Sequence, residues 1–222
     1  MRNISKGDAP REYVEWKEKN NHILATCTFG SISPEAKKAL QKQLCYEQGH
    51  TCCYCMSRID ALDTKMRVEH WEPQSEEDGK IFDYKNMMAA CCGNDGKNRP
   101  LQHCDVRKRN DPLKFNPSSD DVEAIIKYKP SGVISSTDPG FNAQMGTPSD
   151  PGVLNLNLGR LKNNRREALE ALRMKLEKEG RWVKSQISRK IDELQSPDAD
   201  GKIEPYCGIL IHYLKKKLQQ LH

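Results

Sequence analysis

The sequence predicts an α+β fold, with helices toward both ends and short strands between them around a cluster of cysteines. Three observations predict it. Apolar residues recur at helical spacing over 34–47, from 158 onward and over 205–221. Strand-like patterns are confined to brief stretches, 65–71 and 125–135. Six of the nine cysteines fall between positions 52 and 104.

Residues 10–21 predict a short helix, with Tyr13, Val14 and Trp16 set among charges. Ser33-Pro34-Glu35 is a helix start: Ser as N-cap, Pro in the first turn, then an acid. That helix runs through Ala36, Leu40 and Leu44 to about Glu47, and Gly49 stops it. Residues 65–71 predict a strand in which Met66 and Val68 alternate with charges, and 73–80 an acidic loop. Residues 86–92 are a compact apolar run, 94–99 a polar, glycine-bearing loop, and 104–109 the start of a short helix. Ile125, Ile126 and Tyr128 form one arm of a β-hairpin and 133–135 the other, around Pro130-Ser131-Gly132. Residues 137–152, rich in Gly, Pro, Ser and Asp, predict a loop. From 158 the pattern is helical for about thirty residues, with Leu161, Leu169, Leu172, Leu176, Val183 and Ile187 on the apolar face and Gly180 as a break or kink. Residues 196–201 predict a turn. The last helix, 205–221, carries Ile209, Leu210, Tyr213, Leu214 and Leu218 on or near one side.

A chain of 222 residues allows one large domain or two small ones. Its net charge of +5 permits a nucleic-acid partner without demanding one. With 36% hydrophobic residues, burial is expected to be thin, and a metal staple or partner subunit would help. The N-terminal residues have no apolar signal region, and no stretch is long enough to span a membrane. The expectation is therefore a cytoplasmic protein without a membrane partner, in which clustered cysteines bind metal rather than form disulfides. Cys27, Cys45 and Cys207 stand alone and are expected to be inert buried thiols.

Cys52-x2-Cys55 sets two sulfurs on one tight turn, the spacing of a zinc knuckle. Cys104 supplies a third ligand, and either Cys91 or Cys92 the fourth; chemistry alone does not choose between these neighbours. Cys53 lacks the x2 spacing. The gap to Cys104 requires the loop 92–103 to bulge out. Between the cysteines stand Glu69-His70, Asn86 and Asp105. An imidazole is the usual general base near neutral pH. Glu69 and Asp105 offer oxygen to a hard cation such as Mg²⁺ or Mn²⁺, and Asn86 reads as a brace for the histidine loop. Glu69 and His70 are strand neighbours, so they serve one site only if the strand end twists or the metal lies beside it. Arg107, Lys108 and Arg109 follow directly as candidate phosphate contacts. Arg160, Lys162, Arg165, Arg166 and Arg173 make the helix after 158 strongly basic, fit either for a nucleic-acid backbone or for simple solvation.

The stretch resembles an HNH nuclease, a ββα-metal fold with zinc knuckles. The match runs Cys52-x2-Cys55, Val68-Glu69-His70, Tyr84-x-Asn86, then Cys91 and His103-Cys104-Asp105-x-x-Lys108. Met1-Arg2-Asn3-Ile4-x-Lys6, Gln48-Gly49, Asp111-Pro112-Leu113, Asn116-Pro117 and Leu154-Asn155-Leu156-Asn157 before Leu161 and Arg165 extend it. They resemble the HNH subunit of Septu-type and retron-linked anti-phage defence systems. Two departures stand out: Glu69 where an Asp is usual, and Asp105 where His or Asn is common.

The resemblance implies an HNH ββα-metal core over 51–117 with structural zinc on Cys52, Cys55, Cys91 and Cys104. An N-terminal helical segment (1–50) and a hairpin with a C-terminal helical region (118–222) flank it. It implies a metal-dependent endonuclease with His70 as general base, Glu69 and Asp105 on Mg²⁺ or Mn²⁺, and nucleic acid as substrate, DNA in preference to RNA. It further implies an ABC-type ATPase partner and, in retron-linked members, a reverse transcriptase with its retron DNA. The competing expectation is a non-catalytic zinc-finger module that binds nucleic acid or protein.

Overall fold

The computed structural model describes residues 1–73, 80–147, 149–178, 180 and 182–221. The acidic loop expected over 73–80 lies, from 74 to 79, outside the described residues.

Helix α1 (Arg11–Lys19) buries Tyr13, whose hydroxyl donates to the Phe82 carbonyl at 3.0 Å. Ser33 caps α2 (Pro34–Glu47) by accepting from the Ala36 amide at 3.3 Å, and Ala36, Leu40 and Leu44 turn inward. Strands β1 (Arg67–His70) and β2 (Met87–Ala90) pair antiparallel, with Glu69 opposite Met88 and His70 opposite Met87. The apolar run at 86–92 thus contains a strand, Met87–Ala90, buried along its whole length. Helix α3 (Cys104–Lys108) follows, and Arg109, at φ 52°, ends it. A single turn, α4 (Val122–Ile125), runs into β3 (Ile126–Tyr128), which pairs antiparallel with β4 (Ile134–Ser136).

Two expectations are corrected beyond this point. The loop predicted over 137–152 contains a helix, α5 (Pro139–Met145). Asp138 accepts from the Phe141 amide at 2.8 Å, Pro139 opens the first turn, and Phe141 and Met145 bury together one turn apart. The helical stretch after 158 breaks at Gly180 (φ +80°), as its glycine led one to expect, into α6 (Gly159–Lys178) and α7 (Lys184–Gln195), but Val183 lies in the break. Val183 is consequently not part of a buried face; it is 55% exposed. Helix α8 (Cys207–Gln220) packs on both α6 and α7.

The buried side chains form one core that draws on all three expected segments, from Met1 and Leu40 through Met87 and Cys104 to Leu161, Ile187 and Ile209. Among the described residues no helix is long and apolar enough to cross a membrane.

Candidate functional site

The sulfurs of Cys52, Cys55, Cys91 and Cys104 all lie within 4.8 Å of one another, and all four residues are buried. Tetrahedral zinc with Zn–S bonds of about 2.3 Å sets its sulfurs about 3.8 Å apart. Cys55 and Cys91 stand at 3.7 Å. The cluster therefore fits a metal such as zinc. Burial pushes the Cys52 thiol up, but hydrogen bonds from Cys104, Cys53, Cys55 and Cys91 outweigh it and hold Cys52 well below the ordinary thiol value. A bound dication lets all four ionise together.

Local backbone bonds build the cluster. The Met56 amide donates to Cys52 O at 3.0 Å, closing the turn that carries Cys52 and Cys55. Gln48, just past α2, docks that turn on β2: its Nε2 donates to Ala89 O at 2.7 Å and its Oε1 accepts from Ala89 N at 2.7 Å. Gly49 follows at φ +55°, where a Cβ would come within 2.7 Å of Ile203. The long gap between Cys91 and Cys104 closes because the His103 amide donates to Gly93 O at 3.0 Å, so the intervening loop bulges outward. Asn155 holds that bulge with its Nδ2 on Pro100 O and Gln102 O. Arg165 ties the same strip to the β3–β4 turn, donating to Leu156 O and Gly132 O. The Leu154–Asn157 motif and Arg165 thus latch the cysteine cluster to the C-terminal helices.

The two spare cysteines fall outside. Neither is one of the four: Cys92 Sγ faces Thr64 O at 3.5 Å, and Cys53, whose thiol hydrogen-bonds Cys52, binds Ala89 O through its backbone amide. Of the lone thiols, Cys45 and Cys207 are buried and Cys27 half-buried; burial pushes Cys45 up to about 12.

Sequence reasoning placed His103 in the motif beside Cys104 but gave it no role. Its Nε2 faces the Arg160 guanidinium at 3.2 Å, so that nitrogen accepts and Nδ1 carries the proton. Nδ1 then points its N–H at Cys104 Sγ, 3.2 Å away, with Cys91 Sγ at 3.9 Å. Burial first, and then the Arg160 charge, lower His103 to about 4 against the pull of Cys52. The neutral ring is a ready donor to a ligating thiolate.

Glu69, on β1, is 2% exposed and stands among three partners. Tyr54 donates to its Oε1 at 2.6 Å, and the Lys108 ammonium lies 2.9 Å from the same oxygen. Asp105 contacts the carboxyl and is itself held by Arg67, Nε to Oδ2 at 2.6 Å. Burial, then the Asp105 hydrogen bond and charge, push Glu69 well above the usual carboxylate range, against Lys108 and Tyr54. Two carboxylates in contact need a proton or a cation between them, and Mg²⁺ commonly takes one or two carboxylates plus water. Glu69 Oε2 takes neither the Tyr54 nor the Lys108 bond. Arg67 and Lys108 already stand against the two carboxylates, at 2.6 and 2.9 Å.

His70 closes β1. Its Nε2 lies 3.0 Å from Ile81 O, and a carbonyl only accepts, so Nε2 carries the proton and Nδ1 is the basic nitrogen. Burial lowers its pKa, opposed by the Ile81 bond and the Asp105 charge. Asn86 pins the turn after it: Oδ1 accepts from Glu72 N at 2.8 Å, and Nδ2 donates to Glu72 O and Lys80 O.

The basic run after Asp105 is corrected. Lys108 is fully buried, bound to Glu69 and to His70 O at 3.0 Å, and contacts no solvent that a phosphate could replace. Arg107 is buried with its guanidinium on Gly152 O and Arg99 O, both at 2.8 Å. Only Arg109 of the three is exposed. On α6, Arg165 is likewise buried by its carbonyl partners, while Arg160, Arg166 and Arg173 are exposed. The helical spacing of Asp105 and Lys108, facing Arg67 and Glu69 two apart on a strand, was the available signal for an interlocked charge cluster.

No protein-family model and no curated protein matches the chain.

Proposed function

We propose that the protein is a metal-dependent endonuclease of the HNH type, hydrolysing phosphodiester bonds of nucleic acid. The observation that carries this is the end of β1, where the proton on His70 Nε2 is committed to the Ile81 carbonyl while Glu69, the preceding residue, meets Asp105 from α3. A general base beside a carboxylate pair able to take a cation supplies the groups that metal-assisted attack on a phosphodiester uses.

In this mechanism Nδ1 of His70 takes the proton from the attacking water. Ile81 O holds the ring in the tautomer that makes Nδ1 basic, and Asn86 holds the turn that follows it. Glu69 and Asp105 would hold the divalent cation, with Tyr54 and Lys108 fixing Glu69 in place. A bound Mg²⁺ or Mn²⁺ supplies Lewis-acid stabilisation of the scissile phosphate and the leaving oxygen. Zinc on the four cysteines would take no part in the chemistry, since four thiolates leave no open position. The same resemblance supports a role in anti-phage defence beside an ABC-type ATPase.

The test is plasmid nicking with Mg²⁺ or Mn²⁺, with wild type and His70→Ala compared at equal zinc content. Cleavage that needs the cation and disappears in His70→Ala is expected; full cleavage by His70→Ala overturns the assignment.

One observation favours the non-catalytic zinc module instead. Lys108 and Arg67 already face the two carboxylates, so the charge cluster also makes sense as a clamp between β1 and α3. Nucleic-acid binding without any cation-dependent cleavage would select it.

A further inference from the structure

Residues 21–31 join α1 to α2 as two 3₁₀ turns, Asn21–Thr26 and Phe29–Ser31. Among the described residues, the hydrogen bonds of this segment close within it or onto its immediate flanks. Ile23 N donates to Asn20 O, Cys27 N to Leu24 O, Ser31 N to Thr28 O, and Thr26 Oγ1 to Ile23 O. None of them reaches β1, β2 or α3. The segment's hold on the protein is apolar: Leu24, Cys27 and Phe29 pack half-buried against the core, while Ile23 stays 41% exposed. Phe29 is set edge-on against the His70 imidazole, ring centroids 4.8 Å apart at 86°. His70 is only 5% exposed.

A base that must meet a water and a phosphate is thus packed by a ring on a segment that, among the described residues, has no hydrogen bond to β1, β2 or α3. Lifting the segment breaks a few apolar contacts and no sheet or helix ladder, the signature of a low-stability local opening. We propose that residues 21–31 form a strap closed over His70, with Phe29 as its plug, and that a phosphodiester reaches the imidazole only when the strap lifts. The gating role rests on the nuclease reading above; the closure itself does not.

The experiment is carbethoxylation of the full zinc-loaded chain with diethyl pyrocarbonate. Peptide mass spectrometry follows His70, with the exposed His22 as internal reference, in wild type, Phe29→Ala and the milder Phe29→Leu. Hydrolysis of bis(p-nitrophenyl) phosphate with Mn²⁺ is measured on the same samples. In wild type His70 is expected to label about tenfold or more slowly than His22, as a locally protected site does. Phe29→Ala raises the His70 rate severalfold, Phe29→Leu raises it less, and hydrolysis by Phe29→Ala exceeds wild type. Labelling of wild-type His70 as fast as His22, or an unchanged His70 rate in both variants, overturns the strap. Hydrolysis that is present but no faster in Phe29→Ala overturns its role as a gate. Faster labelling with no hydrolysis by any of the three proteins keeps the strap and overturns the nuclease reading.

Discussion

Lys108 Nζ stands 2.9 Å from Glu69 Oε1, and both side chains are almost wholly removed from solvent. Because α3 spans only five residues, it has little helical stability of its own. Its place against β1 comes from this ion pair, from the Lys108 bond to His70 O and from Cys104 in the four-cysteine cluster.

Removing one partner of that pair is therefore costly. Lys108→Met leaves a buried carboxylate without its cation, and such truncations cost about 3–5 kcal/mol. The expected outcome in urea unfolding is a loss near the lower end, since Glu69 can take up a proton. The double variant Lys108→Met/Glu69→Gln is expected to lose less than the two single losses added together.

Stability also depends on pH through Glu69. Its folded value lies well above that of a free Glu carboxyl, about 4.3. Between those two values the native state keeps a proton that the unfolded chain has lost. Without Mg²⁺ or Mn²⁺, stability contributed by Glu69 falls as pH rises through that window. Thermal melts from about pH 5 to pH 8 are expected to show this decline, and Glu69→Gln to flatten it.

The metal cluster predicts an asymmetry between adjacent cysteines. Cys91→Ser is expected to lose zinc and much of the folded protein, because zinc binding to such a site is folding free energy. Cys92→Ser and Cys53→Ser keep their zinc, measured by elemental mass spectrometry on the purified chain. Zinc loss in Cys92→Ser with retention in Cys91→Ser would contradict the arrangement described above.

Arg107 and Arg109 separate in the same way. Arg107→Ala leaves the Gly152 and Arg99 carbonyls without donors and is expected to cost about 1–3 kcal/mol of stability. Arg109→Ala leaves stability nearly unchanged and, where the chain binds nucleic acid, reduces the salt dependence of that binding by about one charge.

The local features were legible in the residues. The Cys52-x2-Cys55 turn, the Ser33-Pro34 helix start, the strand ending at His70 and the apolar stripes of α6 and α8 all depend on spacings within a few positions. What depended on distant packing was not. On a nearly extended chain Cys91 and Cys92 point to opposite sides, and the side that faces Cys52 is set by how Gln48 docks the turn on Ala89. The helix at 139–145 was hidden in a Gly- and Pro-rich stretch because only its capping pair and two buried residues mark it.

By itself the sequence determined which residues were available: six clustered thiols, a Glu-His pair, an Asn, and an acid followed by basic side chains. The tertiary structure decided what each one faces. Lys108 and Arg107 read as phosphate contacts while their surroundings were unknown. Folding removes both from solvent and turns their charges onto Glu69 and onto backbone carbonyls. A side chain's charge is a local property, but its burial is set by every element that packs over it, and burial decides whether that charge meets a ligand or a neighbour.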